Sequence, residues 1–191
     1  MESLLISIGV VALAEIGDKT QLLSFVLAAR YRRPWPIIAG ILVATTFNHS
    51  MAGVAGAWIG SMLSPAALRW SLGLSFIAMA LWILIPDRVD DADLRMKPRL
   101  GVFGTTLGTF FLAEMGDKTQ IATVALGARF DSVAAVVAGT TIGMMLANVP
   151  AVFIGEKLAH RLPVRLVHGV AAVIFAAIGV ATLAGGADGL L

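Results

Sequence analysis

Glu15-Ile16-Gly17-Asp18-Lys19-Thr20 recurs 99 residues later as Glu114-Met115-Gly116-Asp117-Lys118-Thr119. Gln21 and Gln120 extend each copy by one position. Both copies sit in the middle of long apolar runs, where an ionisable side chain is costly and ordinarily marks an ion or proton pathway. One such insertion into hydrocarbon is an accident of sequence; two in the same order suggest a site for an ion.

The runs around the motifs set the fold class. The chain has 191 residues, of which 58% are hydrophobic and only 14% charged. Its mean hydropathy is +0.89. A soluble domain of this size needs far more polar surface, so the expectation is an all-α integral membrane protein. A span needs about 20 mostly apolar residues, and the sequence predicts spans near 3–28, 36–61, 67–86, 101–128, 132–157 and 165–186. The apolar runs are continuous, which excludes the alternating pattern of a membrane barrel. Cysteine is absent, so disulfides and thiolate metal sites are excluded. No basic stripe points to nucleic acid. Glu2 stands where a cleaved signal would carry basic residues.

The halves match beyond the motif. Ala28-Ala29-Arg30 aligns with Gly127-Ala128-Arg129, Ala39-Gly40 with Ala138-Gly139, and Gly56 with Gly155, each at the same 99-residue offset. Asn48 and Asn148 fall within one residue of that register. An internal duplication follows: a first three-helix repeat over 1–86, a cytoplasmic linker over 87–100, and a second repeat over 101–191. Three spans per half is an odd number, so the second half enters the membrane upside down. Inverted repeats of this kind bring their matched midpoints together.

Loop charge sets the expected orientation. Arg30, Arg32, Arg33, Arg88, Arg95, Lys97, Arg99, Lys157, Arg161 and Arg165 fall on one side, and only Arg69 and Arg129 on the other. The first side should be cytoplasmic, leaving both termini outside. Asp87, Asp90, Asp91 and Asp93 lack the glycine and terminal glutamate of a calcium loop and are expected to be a solvated linker.

On a continuous helix, positions three apart share a face. Glu15, Asp18 and Gln21 would then form one oxygen-bearing stripe, and Glu114, Asp117 and Gln120 another. Four carboxylates meeting at one point suit a hard divalent cation. Gly17 and Gly116 either unwind the helix and lend carbonyls, or permit close helix approach. Thr20 and Thr119 either ligate or bond back to the helix. Lys19 and Lys118 cannot reach the membrane surface from mid-span, and each is expected to pair with an acid such as the glutamate four residues before it. Asn48 and Asn148 either line the path or bond between helices. His49 has no counterpart, since Val149 follows Asn148. Pro150 is expected to kink the fifth span. Met144 and Met145 read as core, and His160 and His168 as span-end residues with no role. Four carboxylates and two ammonium groups leave two negative charges, which one divalent cation or two protons would neutralise. A site that takes either is the minimum apparatus of an antiporter. No nucleophile–base pair, phosphate loop or zinc spacing supports an enzyme.

The doubled Glu-x-Gly-Asp-Lys-Thr resembles the signature of the transmembrane protein 165 family, in which both copies read Glu, an apolar residue, Gly, Asp, Lys or Arg, then Ser or Thr. That family comprises Golgi calcium/manganese transporters, chloroplast relatives and small bacterial manganese exporters. The resemblance covers essentially the whole chain. It implies cation/proton exchange, with Glu15, Asp18, Glu114 and Asp117 as metal ligands and Thr20, Gln21, Thr119 and Gln120 as accessory positions. It implies Mn2+ or Ca2+ as cargo and no resident cofactor. The compact chain is similar to the bacterial form, which implies manganese efflux across an inner membrane. The rival expectations are a six-span exporter of basic amino acids, a membrane scaffold and a channel.

Overall fold

The computed structural model describes residues 1–85, 100–154 and 164–185. Those residues form eight helices and no strand: α1 Glu2–Glu15, α2 Lys19–Tyr31, α3 Pro34–Met62, α4 Pro65–Trp82, α5 Gly101–Glu114, α6 Lys118–Arg129, α7 Val133–Ile154 and α8 Val164–Leu183. The acidic and basic residues between Asp87 and Arg99 lie outside the described residues, as do Gly155, Lys157, His160 and Arg161 and the side chain of Arg165.

Four of the helices, α3, α4, α7 and α8, are long and apolar enough to cross a membrane. The expected first and fourth spans are each divided. Residues 3–28 hold the end-to-end pair α1 and α2, and residues 101–128 hold α5 and α6. The division falls inside the motif both times. Glycine is the physical reason: Gly17 has φ 85° and Gly116 φ 75°, a left-handed conformation that no helix interior tolerates and that only glycine adopts cheaply.

Local chemistry sets the other helix starts. Pro34 and Pro65 occupy first-turn positions, where a fixed φ helps and a missing N–H costs nothing. Ser64 caps α4 by accepting from the Ala67 N–H at 3.3 Å. Helix α7 runs through Pro150 without ending.

Packing crosses between the halves. Helix α1 lies chiefly on α7, α3 on α5, α6 and α7, and α4 on α8. Close backbone approach makes this possible. A Cβ on Gly40 would meet Thr106 of α5, and one on Gly139 would meet the Leu4 carbonyl of α1 at 2.6 Å. Phe76 and Phe175, also 99 residues apart, stack at 6.1 Å between α4 and α8. Two apolar clusters result. One runs from Ala14 through Phe76, Leu126 and Phe175; the other joins Leu27, Ile41, Phe110 and Ala113. Ala14 and Ala113 are the residues that precede the two motif glutamates. The exterior carries Phe47, Trp58, Leu81, Leu146 and Val173, while Glu15, Asp18, Glu114, Asp117 and Lys118 are buried. Apolar side chains outside and charges inside are the reverse of a soluble protein and fit hydrocarbon surroundings.

Candidate functional site

The site is built on the two helix breaks, which share one backbone geometry. Helix α1 ends at Glu15 and Ile16 is extended (φ −65°, ψ 114°); α5 ends at Glu114 and Met115 is extended (φ −64°, ψ 116°). Asp18 and Asp117 then stand at the N-cap positions of α2 and α6. An N-cap aspartate ordinarily spends its carboxylate on its own helix. Neither makes that capping bond here, and both carboxylates instead take part in contacts across the halves.

Glutamine makes that possible by holding each loop. Gln21 Oε1 accepts from the Gly17 N–H at 2.8 Å, and Gln120 Oε1 accepts from the Gly116 N–H at 2.7 Å. Gln21 Nε2 also donates to the Ala147 carbonyl of α7 at 3.0 Å. The amide oxygens that the sequence offered as ligands are therefore engaged by backbone. The expectation that Glu15 and Asp18 share a helical stripe also gives way, because a loop separates them.

What brings acids together is contact between halves. Carboxylate oxygens of Glu15, Asp18 and Asp117 lie within 4.8 Å of one another, all three buried. Glu114 stands outside this group. Its carboxylate accepts from the hydroxyl of Thr45 and from Nδ2 of Asn48 at 2.8 Å, both on α3. Glu15 mirrors the arrangement: it accepts from Nδ2 of Asn148 at 3.0 Å, on α7. Each asparagine thus bonds between helices to the glutamate of the other half. Ser24 fixes Asn148 by donating to its Oδ1 at 2.6 Å. The Thr20 hydroxyl donates to Glu15, and that of Thr119 to Asp117 at 3.2 Å, so neither bonds back to its helix.

The lysines pair with acids as expected, but the ion pairs run to an aspartate of the opposite half and not to the glutamate four residues before. Lys118 Nζ lies 3.2 Å from Asp18 Oδ1, and Lys19 Nζ lies 3.5 Å from Asp117 Oδ1. With helix continuity lost at each break, the local spacing no longer operates, and the partner comes from the opposite half.

Three participants were not legible as such. Thr45 and Ser24 carry no motif signal and act only through the helix that presents them. His168, expected at a span end without a role, is buried on α8, with Nε2 2.9 Å from the Ile16 carbonyl. A carbonyl only accepts, so Nε2 carries the proton and donates. This bond satisfies a carbonyl that the break removes from the helix ladder. We expect His168→Phe to leave it unpaired and lower stability by about 1–3 kcal/mol. Thermal unfolding in detergent measures this, with His168→Gln, which keeps a donor, falling less.

Glu15 Oε2 and Asn48 Oδ1 are buried without a hydrogen-bond partner among the described residues. Unsatisfied acceptors are costly in a dry interior, and a hard cation satisfies several at once.

Residues 3–91 and 102–189 match the sequence profile of a family described as "Divalent cation/proton antiporter GDT1". A Vibrio cholerae protein named "Putative manganese exporter" is 51% identical over 183 residues, covering 95% of this chain and 90% of its own. A GDT1-like protein of Synechocystis is 29% identical over 86% of this chain and 88% of its own. GDT1-like protein 5 of Oryza sativa subsp. japonica is 25% identical over 97% and 95%. No solved structure matches. The chain belongs to the transmembrane protein 165/GDT1 family of divalent cation/proton antiporters.

Proposed function

We propose that this chain exports Mn2+ in exchange for protons by alternating access, through a site centred on Glu15, Asp18 and Asp117 with Glu114 beside it. The observation that carries the reading is the buried three-carboxylate cluster, drawn from both halves and set at two helix breaks. Carboxylate oxygens suit Mn2+ and Ca2+ alike. The Vibrio cholerae relative's name favours Mn2+. Breaks of this kind supply the ion sites of many secondary transporters, with half-helix C-termini favouring a cation. The C-termini here belong to α1 and α5.

In this reading α1 with α2, and α5 with α6, each count as one span, giving six spans as inverted three-helix halves, 1–86 and 101–191, joined by the linker 87–100. The matched breaks and crossed asparagine bonds support that plan. So does their inequivalence. Met115 and Gly116 are exposed, whereas Ile16 and Gly17 are half-buried; an exchange of inward and outward states would swap the two. The basic flank after α2 faces the cytoplasm of a bacterial inner membrane and both termini face outward.

Reconstitution into vesicles holding a pH-sensitive dye tests the proposal. A Mn2+ pulse should drive proton movement opposite in direction to the metal, and a preset pH gradient should drive Mn2+ accumulation. Metal flux indifferent to the proton gradient, or proton flux driven by arginine or lysine instead, overturns it.

A further inference from the structure

The two lysines do more than neutralise an acid each, and the inference drawn from them rests on the metal-exchange reading above. Both ammonium groups are bonded to members of the metal-binding cluster itself. Lys118 holds Asp18 Oδ1 at 3.2 Å and Lys19 holds Asp117 Oδ1 at 3.5 Å. Each pair joins the two halves. Lys118 and Asp18 are both buried, and Lys19 is 25% exposed. Lys118 has a second perch, since its Nζ lies 5.9 Å from the centre of the Trp82 ring on α4, within cation–π range. The ammonium can therefore release the Asp18 oxygen to an incoming ion and still remain at the site.

We propose that Lys19 and Lys118 set the valence of the transported ion. In a dry interior, net charge decides which ion the site accepts. The four motif carboxylates and two lysines leave two negative charges, because the lysines are tethered and cannot depart with the cargo. A divalent cation brings the site to neutrality. A monovalent ion leaves one negative charge and a trivalent ion one positive charge, and either excess is expensive where water is excluded. Without the lysines the same carboxylates would suit an ion of higher charge. The paired arrangement has a second consequence. The empty site is never a bare acid cluster, so the lysines hold it together between ions. The cargo must compete with them for the aspartate oxygens, which favours release as much as capture.

The test compares binding of Mn2+ and of a trivalent lanthanide, Lu3+, to purified protein by calorimetry. The proteins are wild type, Lys19→Gln, Lys118→Gln and Lys118→Arg. Each Gln variant should shift the Lu3+/Mn2+ affinity ratio toward Lu3+ by about tenfold or more, given one unit of charge a few ångströms from the ion. Lys118→Gln should shift it further than the more exposed Lys19→Gln. Lys118→Arg, which keeps the charge, should retain the wild-type ratio. If both Gln variants keep that ratio while wild type binds Mn2+, the lysines do not set valence and the metal-exchange reading stands. If wild type binds no Mn2+ at all, that reading fails and takes this one with it. Should Lys118→Gln fail to elute as a single folded species, Lys19→Gln alone decides the matter.

Discussion

Glu15→Gln should lower manganese-driven proton flux by at least about hundredfold, since even outer contacts around a metal cost 10–100-fold when removed. Glu15 is one of three carboxylates whose oxygens converge within 4.8 Å. Its replacement keeps the size of the side chain and its ability to accept from Asn148 and Thr20, but removes the charge that the proposed site offers a cation. Asn148→Ala offers the graded control. Asn148 donates to Glu15 at 3.0 Å and is itself held by Ser24, so its loss misaims the carboxylate without discharging it. We expect about tenfold, with the effect mostly on the metal concentration needed for half-maximal flux. Vesicle flux against Mn2+ concentration measures both. Equal, small effects for the two variants would place the ion elsewhere.

Gly56→Ala should be the most damaging conservative change in the described chain. A Cβ there would stand 2.1 Å from the Val124 carbonyl oxygen and 3.0 Å from the Ala128 nitrogen, both backbone atoms of α6. No side chain can turn aside, so α3 and α6 must separate, at a cost of about 3 kcal/mol. The change also reaches the site, because α3 carries Thr45 and Asn48 and α6 begins with Lys118. Gly9→Ala is the control. Nothing lies within 4 Å of its added Cβ, and alanine in a helix interior gains about 1 kcal/mol over glycine. Detergent melting curves should show a clear drop for Gly56→Ala and none for Gly9→Ala.

Helical class and the two charged strings were legible because they depend on composition and on order along the chain. Long apolar runs leave no other class, and a repeated acidic string inside them has few physical uses. The helix breaks were half legible. Gly17 and Gly116 admitted unwinding or close approach, and only the positive φ separates the two. Once the helix is broken, every inference from helical spacing fails together. The stripe Glu15–Asp18–Gln21, the Lys19–Glu15 pairing and the ligating glutamine oxygens all assumed an unbroken ladder. The crossed pairs Lys118–Asp18 and Asn148–Glu15 span 100 and 133 sequence positions, and no local pattern encodes them. His168 illustrates the same limit. Its position near a helix start says nothing of an orphaned carbonyl 152 residues away.

The crossed bonding has a bearing on how the protein is made. Synthesis delivers Glu15, Asp18 and Lys19 to the membrane well before Asp117, Lys118 and Asn148 exist. During that interval Glu15 lacks its Asn148 partner and Asp18 its Lys118 partner, and lipid offers no substitute. The leading helices must therefore wait in a wetter or assisted setting until the trailing ones arrive, so that insertion and ion-site assembly finish as one event. A ribosome stalled after the first half should leave that half open to rapid proteolysis, and release of the full chain should end the vulnerability.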